Sequence, residues 1–99
     1  MSIFVLMTKL APAAMRGAED RKAFSRDWMQ KVTTACPDVK WLAHYAILGP
    51  YDYMDIYEAP DNATAHVVSM ISRSVGAVTA ESWQAMPWED HLRLMEFMI

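Results

Sequence analysis

The chain has little thiol chemistry, few glycines and no long apolar run. It carries one cysteine, Cys36, and three glycines in 99 residues. A lone thiol excludes a disulfide framework within the chain. No stretch approaches the ~18 consecutive apolar residues of a membrane span, so an integral membrane protein is not expected. Basic residues are outnumbered, and the formal charge is −3. Nucleic acid therefore finds no electrostatic footprint. Met1 to Leu10 shows neither a basic leading segment nor a small-residue cleavage site, so no secretory signal is read and a cytoplasmic location is expected. The Gly-rich phosphate loops and the G-x-S-x-G elbow are missing. Three separated histidines and one cysteine show no metal-ligand spacing, so neither a metal nor another cofactor is expected.

What is present is apolar. Hydrophobic residues make up 54% of the chain, with nine methionines and 11% aromatics. Length points to one domain over 1–99. A domain this small hides a smaller share of its surface than a large one. The apolar surplus therefore suggests a partner, and a second copy is the simplest one.

Periodicity predicts a β-α-β-β-α-β order with a further helix. Ser2 to Lys9 is β-rich with almost no alternation, the pattern of a strand covered on both faces. Glu19 to Cys36 reads as a helix, with Phe24, Trp28, Val32 and Cys36 in one stripe that Met29 and Ala35 widen. Pro37 ends it. Val39 to Leu48 and Tyr53 to Glu58 read as a hairpin around Gly49-Pro50-Tyr51-Asp52. Asp61 is a helix N-cap, and Gly76 closes that helix. Ala77 to Ala85 is the fourth strand. Pro87 suits a first helical position, followed by Trp88, Leu92, Met95 and Met98 or Ile99 on one stripe. The expected fold is α+β, ferredoxin-like, with a four-stranded antiparallel sheet and helices on one face. Its core is 3–86, and 87–99 is a helical extension.

A short hairpin loop centred on Pro50 and Tyr51 pairs Leu48 with Tyr53, Ala46 with Asp55 and His44 with Tyr57. His44 and Asp55 are then diagonal neighbours. Trp41, Ala43, Tyr45, Ile47, Met54, Ile56 and Glu58, a mostly apolar set, suit the layer under the helices. Leu42, His44, Ala46, Leu48, Tyr53, Asp55 and Tyr57 are left for the open face, and a bulge would exchange part of this set. Aspartate is disfavoured in strands, so Asp55 needs a reason. One reason is an acid/base or ligand-orienting pair with His44, flanked by Tyr53 and Tyr57. The plainer one, and the weightier, is a polar pair satisfying itself in the sheet or an interface. Glu81 and Trp83 alternate onto one face of the fourth strand, where they either line the same cavity as His44 or form a solvated charge beside a core or interface tryptophan. Asp52 shapes the turn. His66 reads as a helix-surface residue, Cys36 as buried and inert, and Arg21, Lys22 and Arg26 as a solvated face.

Gly49, Tyr51 and Asp52, followed by Glu58-Ala59-Pro60-Asp61, resemble the Gly-x-Tyr-Asp turn and helix entry of the GYD-domain family. Gly76, Val78, Glu81 and Ala85 resemble that family's last strand. The resemblance covers Ile3 to Met86. Asp55 and the extra tyrosines depart from its usual apolar strand, and Pro87 to Ile99 extends beyond its core pattern. The resemblance implies a dimeric α/β barrel, in which two open sheet faces pack together around a cavity. It brings no reaction of its own.

Three functions are therefore carried forward. The first is a homo-oligomer binding a small apolar or aromatic ligand at the open sheet face, through His44, Tyr53, Asp55, Tyr57 and Trp83. The second is a cofactor-free oxygenase or isomerase, with His44 as base, Asp55 orienting it and a tyrosine such as Tyr53 holding an oxyanion. The third is a protein-interaction or regulatory module.

Overall fold

The computed structural model describes residues 1–12 and 17–98. Part of the connection expected between Leu10 and Gly17 lies outside them, as does Ile99. The elements run β1 (Ser2–Leu10), α1 (Ala18–Ala35), β2 (Lys40–Ala46), β3 (Tyr53–Ala59), α2 (Asn62–Ser74), β4 (Ala77–Ala85) and α3 (Trp88–Met95). The sheet order is β2-β3-β1-β4, and every neighbouring pair is antiparallel. This is the expected α+β, ferredoxin-like arrangement.

The expected helix signals account for most element ends. Asp61 Oδ1 accepts from the backbone N–H of Thr64 at 2.8 Å, closing the first turn of α2. The Thr64 hydroxyl, which donates to the same oxygen at 2.7 Å, and that N–H together hold the Asp61 carboxyl below the usual range. Gly76, at φ 137°, follows α2 in the left-handed region that suits glycine. Pro87 precedes α3 as its N-cap, one position earlier than expected, because its ψ of 145° is extended.

The name-giving turn is a strut. Gly49 takes a φ of 152°, which side chains rarely allow. The backbone N–H of Ile47 bonds the carbonyl of Asp52 at 3.0 Å, closing a loop longer than the short one expected. The Asp52 N–H donates to the carbonyl of Thr8, and its carboxylate accepts from the N–H of Leu10, each at 2.8 Å. Turn and β1 are thus bolted together.

That loop changes the hairpin register. Ala46 faces Tyr53 and His44 faces Asp55 directly. Beyond Ala43 a bulge leaves Leu42 unpaired, and Trp41, not His44, faces Tyr57. The bulge turns Trp41 to the same face as Tyr57.

The core lies between the sheet and helices α1 and α2. Phe4, Leu6, Tyr57, Ala59 and Ala80 from the strands meet Trp28 and Val32 of α1 and Ala65 and Val68 of α2. Trp28 Nε1–H donates to Ser72 Oγ at 2.8 Å, joining the two helices inside the core. Cys36 is buried at the end of the α1 stripe, as expected, and burial pushes its thiol pKa up. Met29 and Ala35, expected to widen that stripe, are exposed.

Apart from Trp41, which lies under the helices as expected, the hairpin therefore faces the opposite way from the expected one. Tyr57 and Asp55 point under the helices, while Met54 and Ile56 share the uncovered face with Ile3, Val5, Met7 and Trp83. Apolarity alone misassigned it, since Met and Ile look better suited to a core than Tyr and Asp. The polar set finds its partners on the helix side, His44 for Asp55 and Ser82 for Tyr57, with the rings of Trp28 and Trp41 packed beside them. β1, expected to be covered on both sides, is covered on one. Every residue of α3 is exposed, including Trp88, Leu92 and Met95.

Asp52→Ala should destabilise the fold by about 1–3 kcal/mol, because it strips the acceptor from the Leu10 N–H. Urea titration of the two proteins measures this. Asp52→Asn, which keeps a carbonyl oxygen there, should lose less.

Candidate functional site

The polar pair at the hairpin sits where α1 crosses β2 and β3. Asp55 is 3% exposed and points towards α1. His44, directly opposite on edge strand β2, has a solvent-facing side chain whose Nδ1 bonds the Asp55 carboxylate. With Nδ1–H donating, Nε2 is left free. Burial pushes the Asp55 carboxyl above its ordinary range, and the bond and charge of His44 offset part of that rise.

Aromatic rings enclose the pair. The Tyr53 ring stacks against His44 with centroids 5.4 Å apart. Arg21 of α1 donates to the Tyr53 hydroxyl at 3.1 Å, and its guanidinium lies 5.8 Å from that ring's centre. Trp41 meets Trp28 edge-on at 4.9 Å and Tyr57 at 5.0 Å. These contacts hold α1 over the hairpin.

Two spaces open on either side of the pair. The inner one, about 20 Å³, lies among Thr8, Phe24, Trp28 and Tyr53. That is room for about one water. The outer one, about 300 Å³, opens between α1 and the edge strand, against Met29, Trp41 and Leu42. Ser25, Trp28, His44 and Asp55 border both. An imidazole whose other nitrogen is held by a buried carboxylate can accept or return a proton, or orient a polar ligand group. Among the described residues no three metal-ligating side chains gather to hold a metal ion.

The structure thus brings His44, Asp55 and Tyr53 together and separates the other two expected site residues. Tyr57 is in the core, its hydroxyl bonded to Ser82 at 2.7 Å. Trp83 lies on the uncovered face, where its indole N–H donates to Glu81 at 3.0 Å. Tyr51 donates to the same carboxylate at 3.0 Å, and that bond raises its own pKa. Glu81 is therefore also remote from His44, across the sheet. The strand period explains the error: Glu81 and Trp83 pair with Met7 and Val5, one residue out of phase with Leu6 and Thr8. The site itself is on the helix-covered side, not the open face.

Sequence reasoning missed the contribution of α1. Arg21, Phe24, Ser25 and Trp28 fall at i, i+3, i+4 and i+7, so they share a helical face. Reading Phe24 and Trp28 as core and Arg21 as solvated split that face in two.

Fold and site together define a ferredoxin-like domain with one uncovered sheet face and an aromatic cleft under α1. The chain belongs to the GYD domain family, whose sequence model matches residues 4–95. That span runs past Met86 and takes in α3, so the tail helix is not an extension beyond the family pattern. Over 52 residues the chain is 38% identical to the glutamine synthetase and cystathionine beta-lyase binding protein of Thermus thermophilus. The aligned part is 52% of this chain and 55% of that protein, so the chain spans about half the length of the relative. No solved structure matches. No helix among the described residues is long and apolar enough to cross a membrane.

The raised Asp55 pKa carries a sign. The folded chain binds this proton more readily than the unfolded one, so its contribution to stability is full in acid and is lost as pH rises through the folded pKa. Asp55→Asn cannot titrate. Its stability relative to the parent should therefore increase with pH across that range, read from urea midpoints at several pH values. A relative stability that falls instead would show that His44 outweighs the desolvation.

Proposed function

We propose that this protein is a binding module that works as a homo-oligomer, with a small apolar or aromatic ligand held in the cleft between α1 and the β2–β3 hairpin. The observation that carries the reading is the placement of Asp55. A buried carboxylate in a strand is costly, and here it fixes an exposed imidazole at the border of an aromatic-walled space. A few polar groups among rings are what orient a ligand in a pocket. Tyr53, stacked on the imidazole and tied to Arg21, borders the small inner space on the other side of the pair.

Self-association is supported by the uncovered face. Val5, Ile56, Ala43 and Trp83 lie in one row across the sheet, with Met54 and Ile3 beside them. A contiguous apolar patch of this kind favours a protein partner over water, and a second copy offers the same patch in return.

A second reading follows from the relative's printed name, that of a protein binding two enzymes. On that reading the module grips another protein, and the exposed apolar side of α3 is available to it.

Light scattering should give an oligomer for the parent chain. Ile56→Lys and Trp83→Lys, checked for native circular dichroism, should give monomers. A parent chain that is monomeric at micromolar concentration refutes the self-association.

For the cleft, calorimetric titration with indole should give measurable binding that His44→Ala weakens roughly tenfold, the scale of one lost polar contact. Unchanged affinity in folded His44→Ala refutes the site.

A further inference from the structure

A second space lies on the other side of the molecule, between α2 and edge strand β4. It holds about 470 Å³, within the range of small-ligand pockets. Its floor is apolar, made by Phe4, Ala65 and Ala80. Its helix wall is polar. Asn62, His66, Ser69 and Arg73 fall at i, i+4, i+7 and i+11, so they form one stripe along α2.

Proton counting shows what that wall lacks. Tyr57, Ser82 and Ser69 form a chain of hydroxyls, with O···O distances of 2.7 and 2.8 Å. Three hydroxyls carry three protons and share two bonds. The Tyr57 end is enclosed by the core, so the spare proton belongs to the serine end, in the groove. Ser72 and Ser74 spend their protons on the carbonyls of Val68 and Ile71. Among the described residues Ser69 makes no such bond, although it is 7% exposed.

His66 and Arg73 stand one turn either side of Ser69. Arg73 reaches the carbonyl of Ala80 at 3.5 Å, which leans its guanidinium over the groove beside β4. The acidic group at the rim is Glu81, and both its oxygens are already bonded, to Tyr51 and Trp83. Donors therefore converge on a space whose one carboxylate is engaged elsewhere.

We infer that the α2–β4 groove is a binding site for a small carboxylate with a flat apolar body. The carboxylate meets Ser69 and Arg73, with His66 alongside, and the body lies on Phe4, Ala65 and Ala80. A guanidinium suits a carboxylate because both are planar and pair through two parallel bonds.

Amide-resolved NMR titration with benzoate tests this on the full chain. Benzoate should shift the amides of Ser69, Arg73 and Ser82. Benzamide, the neutral isostere, should bind roughly tenfold more weakly, and Arg73→Gln should weaken benzoate by a similar factor. Ser69→Ala should weaken it less, and serves if Arg73→Gln does not fold. The inference is overturned if benzoate leaves the groove amides unmoved, or if its shifts centre on Trp28 and His44. It is equally overturned if folded Arg73→Gln binds benzoate as the parent does, or if inorganic phosphate perturbs the groove and benzoate does not.

Discussion

Asp52 bolts the β2–β3 turn to β1 through two bonds, one given and one taken. Strand register is held by that bolt, and register decides which side chains meet the helices. A slip of one residue would send each side chain of the strand to the other face. Asp55 would then lose His44, and Tyr57 would leave its hydroxyl chain. The bulge at Leu42 adds the final adjustment, because it turns Trp41 into the gap between Trp28 and Tyr57. Turn, bulge and ring stack are thus successive parts of one fastening.

How much of this was legible follows from which forces are local. The element order, the Asp61 cap, the Gly76 stop and the bounds of β4 depend on neighbouring residues, and reading along the chain found them. The pairing of His44 with Asp55 was legible too, although as a diagonal contact. The facing of the sheet was not. Both faces of β1 and β3 carry large side chains, so alternation alone could not choose between them. The choice rests on partners from distant segments: Ser82 for Tyr57, Trp28 for Trp41, the crossing of α1 for Asp55. Tyr57 illustrates the point, since its hydroxyl suits a site residue but is taken up by Ser82. Trp83 failed for the simpler reason that its strand phase is set against β1.

The layered fold keeps two kinds of surface apart. Polar groups gather at the two margins of the helix side, His44 and Asp55 beside α1, and Ser69 and Arg73 beside α2. Apolar side chains without cover collect on the other side of the sheet and on α3. A surface that recruits copies and a space that admits a small ligand ask for opposite chemistry. In the proposed reading, the sheet itself separates them.

The four tryptophans fall on different parts of this architecture. Trp28 is in the core, Trp41 walls the outer cleft, Trp83 lies on the uncovered sheet face and Trp88 stands on α3. Their indoles see four different solvents, from nearly dry to nearly bulk water. The wavelength of their emission therefore differs by position, and chains keeping one tryptophan at a time would report separately on folding, cleft, sheet face and tail. The protein carries its own set of optical probes, one for each part of this architecture.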